Sequence, residues 1–574
     1  VTDFPPPDPI VPHSAATAVP APEAETAGET EATETEQTSV RQLLEALICL
    51  AMAVIFFRAF VLEGYIISTG SMAPSLLGYH KRVQCPDCGF SFAFGVSVER
   101  PRSVSSLVAT CPNCRLPTID VSNVPRNDGD QLLVLKNAWL TELGRWLRIG
   151  GPKRWDVVVF LNPNDPSQAY VKRTIGLPGE AVQIRDGDIF VNGERQRKSM
   201  PVQRAIRIPV FDNDFPSRSK DWIPRWIDET GQWQPVESGF VASVKAAPSL
   251  ATDGRSDEPS FAWLRYHNWL RPAPGRSRGQ VSPDRAGHAR ATLQVQPVMD
   301  RYGYNRHEAD HDRVPTHDLM LTAKLDWNSG TGGIAARIKN RGDEVVCLLD
   351  PAGRELSVFC LPDSHWANLE SLLAARLRGE TRPKLMIAEA SMWADWPLEL
   401  EFSVFDRQVT VAINGQVLVQ EPLPESVETI DPMIPVAAYR PPLIAIAGRS
   451  GEGIPAMQGP DGSAAGGIAS IGVVNGTARV SSLRLFRDVH YTAEAGQHAT
   501  SRPLSLGDDE FFMLGDNSPV SLDSRGWRDP VVPRRLLIGR PLVVHLPSRP
   551  GRLRIGDRVS HIRVPDFSRM RYIR

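Results

Sequence analysis

Followed as alternation of apolar and polar positions, the chain passes through three regimes. From Leu43 to Leu62 it is apolar without any period, LLEALICLAMAVIFFRAFVL, and about 20 such residues form a helix roughly 30 Å long, the thickness of a hydrocarbon core. Glu45 in the first turn and Arg58 one turn from the other end interrupt the run, at positions from which long side chains reach headgroups. Residues 41–63 are therefore expected to be a transmembrane anchor; an unusually apolar core helix is the alternative. Before it, residues 1–40 contain no Lys or Arg, and hold Asp3, Asp8, Glu23, Glu25, Glu29, Glu31, Glu34 and Glu36 among many Pro, Ala and Thr. Too little apolar surface is present to offset the entropy of ordering, so a disordered acidic tail is expected. With no basic stretch leading a cleavable apolar core, it does not read as an export signal.

After the apolar run the pattern turns to strands. Asp156 to Pro163 (DVVVFLNP) is β-branched and ends in turn residues, Ala169 to Arg173 is a second short strand, Gly176 to Gly179 turns the chain, and Asp188 to Gly193 ends in an Asn-Gly hairpin turn. Between about Gln196 and Pro503, strand-like runs recur at short spacing: Leu319–Leu325, Glu344–Leu349, Leu356–Cys360, Leu398–Phe405, Val409–Leu418 with its Asn414-Gly415 turn, and Ala478–Phe486. This spacing predicts a β-sandwich with its core at about 315–490. Fold class is thus mainly β. At 574 residues the chain exceeds one ordinary core, and 64 basic against 66 acidic residues give no bulk attraction for nucleic acid. Charge barely orients the anchor, since Arg41 stands on one flank while Lys81 and Arg82 follow the other.

Four stretches carry candidate chemistry. Thr69-Gly70-Ser71-Met72-Ala73-Pro74-Ser75 presents a serine just beyond the apolar run. Cys85-x2-Cys88 and Cys111-x2-Cys114 are separated by 22 residues; two such knuckles turn four sulfurs toward one tetrahedral ion, although two disulfides are the alternative in an oxidising compartment. Lys172 stands in Tyr170-Val171-Lys172-Arg173. A lysine can take a proton from a serine hydroxyl only when its ammonium is destabilised by apolar burial. Finally, Phe511 to Leu514 runs into Gly515-Asp516-Asn517, followed by Ser521-Leu522-Asp523-Ser524-Arg525. Cys347 and Cys360 flank a turn at Pro351–Arg354 and either face each other or are buried free thiols; Cys49 needs no role.

Ser71, the Val-Lys-Arg motif and the Gly-Asp-Asn box, in this order behind an apolar anchor, resemble the type I signal peptidase family of membrane-bound serine proteases. The resemblance implies Ser71 as nucleophile, Lys172 as general base, Thr69 as an oxyanion donor, Ser521 as the hydroxyl that orients the lysine, and Asp516, Asp523 and Arg525 as bracing. Ser518 departs from the family's usual Arg, so bracing there must differ, and Ser75 replaces a common Thr. It further implies a bacterial inner (plasma) membrane protein with a single pass, a cytoplasmic N-terminus and its catalytic domain on the outer face, cleaving signal peptides from exported preproteins with no catalytic cofactor. A specialised maturation protease, or a binding module on a vestigial scaffold, are the rival readings. The catalytic domain is then discontinuous, 64–196 with 504–574. The cysteine pattern, at 81–118, resembles a zinc ribbon, implying structural zinc. Part of the 197–503 insertion (Phe405–Gly415 and Gly472–Asp488) looks like concanavalin-A-like lectin/glucanase modules, which implies a glycan or protein partner; Tyr302 and Tyr304 could stack on sugars or simply pack. The Trp-rich lead-in (Trp222, Trp226, Trp233, Trp263, Trp269) matches no known pattern. Arg549, Arg552, Arg554, Arg558, Arg563, Arg569, Arg571 and Arg574 give the last 26 residues a basic character, either a lipid contact or a solvated face.

Overall fold

The computed structural model describes residues 31–573 apart from 97–106, 137–150, 246–258, 269–281, 284–288, 306–313, 363–368, 380–384, 425–442, 448–466 and scattered positions singly or in pairs. The chain divides into two compact units, ending and starting at Phe60 and Val61. Most of the expected tail, and Trp269, lie outside the described residues.

In the first unit a helix runs from Glu31 to Phe60. It begins within the segment expected as a tail, since 31–40 are helical. The anchor boundary also moves, because Leu62 and Glu63 belong to the strand Leu62–Ile66. Within the helix Arg41 donates to Glu45 at 2.8 Å, one turn on. Leu43, Leu44, Leu47, Ile48, Val54 and Phe56 are all exposed. Among the described residues, no helix is long and apolar enough to cross a membrane.

The second unit is mainly β. An eight-stranded sheet has the order Leu62–Ile66, Gln131–Lys136, Leu537–Val544, Val157–Asn162, Asp165–Gly176, Glu510–Leu514, Val532–Pro533, with Arg571–Tyr572 beside Leu537–Val544. Segments from both sides of the insertion thus interleave: Val158 faces Lys172, and Arg173 faces Leu514. A four-stranded sheet alongside joins Ala181–Arg185 to Leu504–Ser505 in the same way. Asn192 and Gly193 both have positive φ, 51° and 85°, as the two central residues of a type I′ hairpin turn require.

The insertion is built on two long strands, Leu319–Asn340 and Ala469–Arg487, paired along their length. The first half of Leu319–Asn340 takes Leu398–Phe405 on its other edge, and the second half takes Asp343–Asp350. Register shifts between Trp327 and Gly333 mark the bend between halves. Gly330 has φ +135°, and a Cβ there or at Gly332 would strike the carbonyls of Asn475 and Val474, so the Gly-rich stretch lets two backbones meet closely. Leu319, Leu321, Ala323 and Leu325 before the bend, and Ile334, Ala336 and Ile338 after it, enter one core shared by both arms. Alternation at period 2 within each half puts them there. The run expected at Val409–Leu418 is two strands, Gln408–Ile413 and Gln416–Pro422, because Asn414 and Gly415 turn the chain with φ 49° and 82°. Cys347 pairs with Val358 and Cys360 with Val345, so the two thiols are not directly opposite; both are free and buried, and burial pushes Cys360 up to about 11.

Candidate active site

The Asp165–Gly176 strand delivers Lys172 from between neighbours on both edges, which leaves its side chain 3% exposed. Lys172 Nζ donates to Ser521 Oγ at 2.9 Å. Burial pushes the ammonium down to about 8 from its ordinary value, against the opposing pull of Asp523. The next residue, Arg173, is buried on the other face. It meets Asp516 bidentately at 2.7 and 2.6 Å and donates to Trp155 O, the planar fork geometry that suits a carboxylate.

Ser71 lies in a turn between Leu62–Ile66 and the ribbon strand His80–Gln84. Its carbonyl accepts from Asn517 N at 3.0 Å. The neighbouring carbonyl, Gly70 O, accepts from Asn517 Nδ2 at 2.9 Å. Gly515 is where the Ser71 turn and the Ser521 loop touch. A Cβ there would overlap both Ser521 Oγ and the carbonyl O of Ser71, so only a glycine lets the Ser71 turn and the Ser521 loop close on each other. Thr69 is exposed, with Oγ1 3.5 Å from Ser71 Oγ.

Behind this pair, Asp523 accepts from Gly515 N at 3.0 Å and from Arg525 Nε and Nη2 at 2.9 and 2.8 Å. Ser518, buried, braces the loop: its hydroxyl accepts from Arg525 Nη1 at 2.8 Å and from Thr492 N at 2.9 Å, and its carbonyl accepts from Arg525 Nη2 at 2.9 Å.

Sequence reasoning missed Asn305 here, and named Tyr302 and Tyr304 only as rings that stack or pack, without their contacts; all three lie in the insertion. Tyr302 donates to Asp516 O at 2.9 Å, Tyr304 donates to Tyr79 O at 2.9 Å, and Asn305 exchanges amide hydrogen bonds with Asn517 at 2.8 and 2.7 Å. Tyr302 and Tyr304 are 5% and 8% exposed, so they pack and do not form a sugar-stacking platform. The one available signal was their aromatic and amide character in a Gly-containing stretch, which does not say what it contacts.

The four paired cysteines are buried and free, with all Sγ atoms within 4.8 Å of one another. Cys85 and Cys114 sulfurs are 3.6 Å apart, and those of Cys88 and Cys111 are 3.7 Å apart. A disulfide would need about 2.05 Å, whereas the edge of a tetrahedron of thiolates about 2.3 Å from a zinc ion is about 3.8 Å. Each knuckle folds back identically: Gly89 N and Arg115 N donate to Cys85 O and Cys111 O, with positive φ at both residues. The donor set fits a soft tetrahedral ion. The ribbon continues past its expected end at 118, since Arg126–Asn127 pairs with His80–Gln84. Lys81, expected as a flank of the anchor, is instead buried, donating to Val121 O and Ser122 O at 2.7 and 2.9 Å, and Arg82 pairs with Asp566. Of the C-terminal arginines, Arg569 pairs inward with Asp130 at 2.9 Å.

Residues 40–225 match the family model described as signal peptidase, peptidase S26. Among curated proteins, the chain is 40% identical over 83 residues to a signal peptidase I of Pseudomonas fluorescens, covering 14% of this chain and 27% of that protein. To a signal peptidase I of Pseudomonas aeruginosa it is 29% identical over 143 residues, 25% of this chain and 34% of the relative. To that of Rickettsia prowazekii it is 50% identical over 44 residues, 8% of this chain and 17% of the relative. The chain thus spans about a third or less of the length of these relatives. The matches support a peptidase S26 domain over the segment that holds Ser71 and Lys172. Among solved structures, a carbohydrate-binding module from Bacillus subtilis aligns with 46% of this chain and 96% of its own length, at 8% identity and a TM-score of 0.21, which is too low to assign the insertion a fold.

Proposed function

We propose that this chain is a membrane-anchored serine endopeptidase that removes signal peptides from exported preproteins, with Ser71 as nucleophile and Lys172 as general base. The observation that carries this reading is the buried Lys172 amine, held down to about 8 and fixed by Ser521 in a loop that closes on the Ser71 turn. An amine in this state is neutral often enough near pH 8 to accept the hydroxyl proton. Ser71 Oγ adds to the scissile carbonyl as its proton passes to Lys172. The resulting oxyanion is met by Ser71 N–H and the Thr69 hydroxyl, donors aimed at charge that develops only in the transition state. Lys172 then protonates the leaving amine, and in the second half takes a proton from the water that hydrolyses the acyl-enzyme.

The Glu31–Phe60 helix supplies membrane attachment in this reading: apolar side chains along it from Leu43 to Phe56 are exposed, and burying such surface in lipid is the favourable outcome. The N-terminus is placed in the cytoplasm and the catalytic unit on the outer face of a bacterial plasma membrane. We assign a structural zinc to Cys85, Cys88, Cys111 and Cys114, where a closed four-thiolate shell leaves no position for a reacting water. A glycan or protein partner for the insertion is a narrower proposal, which would make the enzyme a specialist.

Cleavage of a model preprotein in detergent tests the main reading. Ser71→Ala and Lys172→Ala are each expected to abolish cleavage while leaving the melting temperature near wild type or above it. Full activity in either variant would refute the dyad.

A further inference from the structure

The peptidase match ends at residue 225, yet part of the insertion lies against the nucleophile turn. We propose that Tyr302–Asn305 is a strap that positions Ser71, with Asn305 acting through Asn517 as a positioning residue for acyl transfer; this rests on the serine-peptidase reading above.

Asn517 holds two consecutive carbonyls, Gly70 O through its side-chain Nδ2 and Ser71 O through its backbone N. A trans peptide is planar, with C=O and the following N–H pointing in opposite directions. Fixing Gly70 O therefore fixes the direction of Ser71 N–H, the donor an oxyanion would need. The Asn517 amide can do this only with its nitrogen turned to Gly70. Flipped, it would present Oδ1 to another oxygen. Asn305 opposes a flip of Asn517 alone, which would set oxygen against oxygen: its Nδ2 donates to Asn517 Oδ1 at 2.8 Å while its Oδ1 accepts from Asn517 Nδ2 at 2.7 Å.

The rest of the strap holds Asn305 in place. The Tyr302 hydroxyl ties it to Asp516 O at 2.9 Å. The Tyr304 ring lies over Gly70, where a Cβ would overlap it, and packs with Ala73 and Leu77. Tyr304 O accepts from Gly95 N at 2.8 Å, and a Cβ on Gly303 would meet Pro112 at 2.9 Å, so the strap is also seated on the cysteine ribbon.

Asn305→Ala and the isosteric Asn305→Asp, made in the full chain, test this by kinetics and by amide hydrogen exchange. Aspartate keeps the packing but cannot donate to Asn517 Oδ1. Both variants are expected to lower kcat by about tenfold to a hundredfold, the scale of a small misplacement of reacting groups. KM should stay within about twofold and the apparent pKa of the rate profile should remain near 8. Exchange should quicken in fragments containing Asn517, with fragments of the Val157–Asn162 strand unchanged. Wild-type kcat in Asn305→Ala, full activity in Asn305→Asp, or unchanged exchange at Asn517 would each overturn the strap. Exchange needs no turnover, so it decides the strap even if wild type proves not to cleave, an outcome that would instead defeat the peptidase reading.

Discussion

At the scale of single residues, Lys172 shows what burying an amine costs and what the proposed base would gain from it. Its folded pKa lies near 8, below the ordinary 10.5, because burial disfavours the charged form. The proposed mechanism needs the neutral amine, so kcat/KM is expected to rise with pH to a plateau with a midpoint near 8 and to fall about tenfold per unit below it. Stability follows the same sign. Between the two pKa values the unfolded chain binds more protons than the folded one, so stability rises with pH from about 8 toward 10.5. Below that window the penalty is fully present. Lys172→Met should therefore inactivate the protein yet stabilise it at pH 7, by on the order of 2 kcal/mol, measured by urea unfolding; a less stable variant would contradict burial as the cause. The position of Lys172 was legible in its Val-Lys-Arg setting. Its environment was not, because Ser521 lies 349 residues away in sequence. Nor did sequence reveal that Arg173 is the buried partner of Asp516, since adjacent strand residues face opposite sides and the fold alone says which side is occupied.

At the scale of elements, the ribbon acts as a clamp. The two knuckles use their middle residues on the insertion: Asp87 accepts from Ser217 Oγ and from the backbone of Arg218 and Ser219, and Asn113 exchanges hydrogen bonds with the Asp212 backbone and donates to Phe215 O. Phe90 and Phe215 add an edge-on ring contact at 5.3 Å. The ribbon's own core is small and includes all four cysteines, so an ion there is expected to supply much of its folding energy. Chelation, or Cys88→Ser, should speed amide exchange across 80–127 and 212–219 together. Exchange that quickens in the ribbon alone would show that the knuckles do not hold the insertion. Cysteine spacing made the four-thiol cluster legible; its contacts to the insertion were not, since Asp87 and Asn113 are ordinary knuckle fillers until their partners are seen. The long bent strands were also read only in part. Their halves carry separate alternating patterns, and the Gly-rich link between Trp327 and Gly333 looks like a boundary in sequence when it is a bend.

At the scale of the whole molecule, the 197–503 segment is not a bead hung on a loop. Lys198 is fully buried between Asp406 and Asp488 at 2.5 and 2.8 Å. Burial alone would lower its pKa, but the two carboxylates more than offset that and hold it well above the ordinary value. Asp188 of the peptidase portion and Asp318 and Asp406 of the insertion bring carboxylate oxygens within 4.8 Å of one another, with Arg195 on Asp188 at 2.9 Å. Removing one member of such a buried network leaves charge unpaired, which costs about 3–5 kcal/mol. Lys198→Met is expected to lower the melting temperature of the whole unit in one transition. Two separated transitions would show that peptidase and insertion unfold independently.

The interleaved sheet also dictates an order of assembly. Ser71 and Lys172 are synthesised early, but the strand beside Lys172's own, Glu510–Leu514, and the Ser521 hydroxyl come only after the entire insertion has been made. Since chains emerge from the ribosome N-terminus first, a nascent molecule carries Ser71 and Lys172 before the strand and hydroxyl that enclose the lysine have been made. In the proposed mechanism the base would thus be completed only once residues 510–521 have joined the sheet.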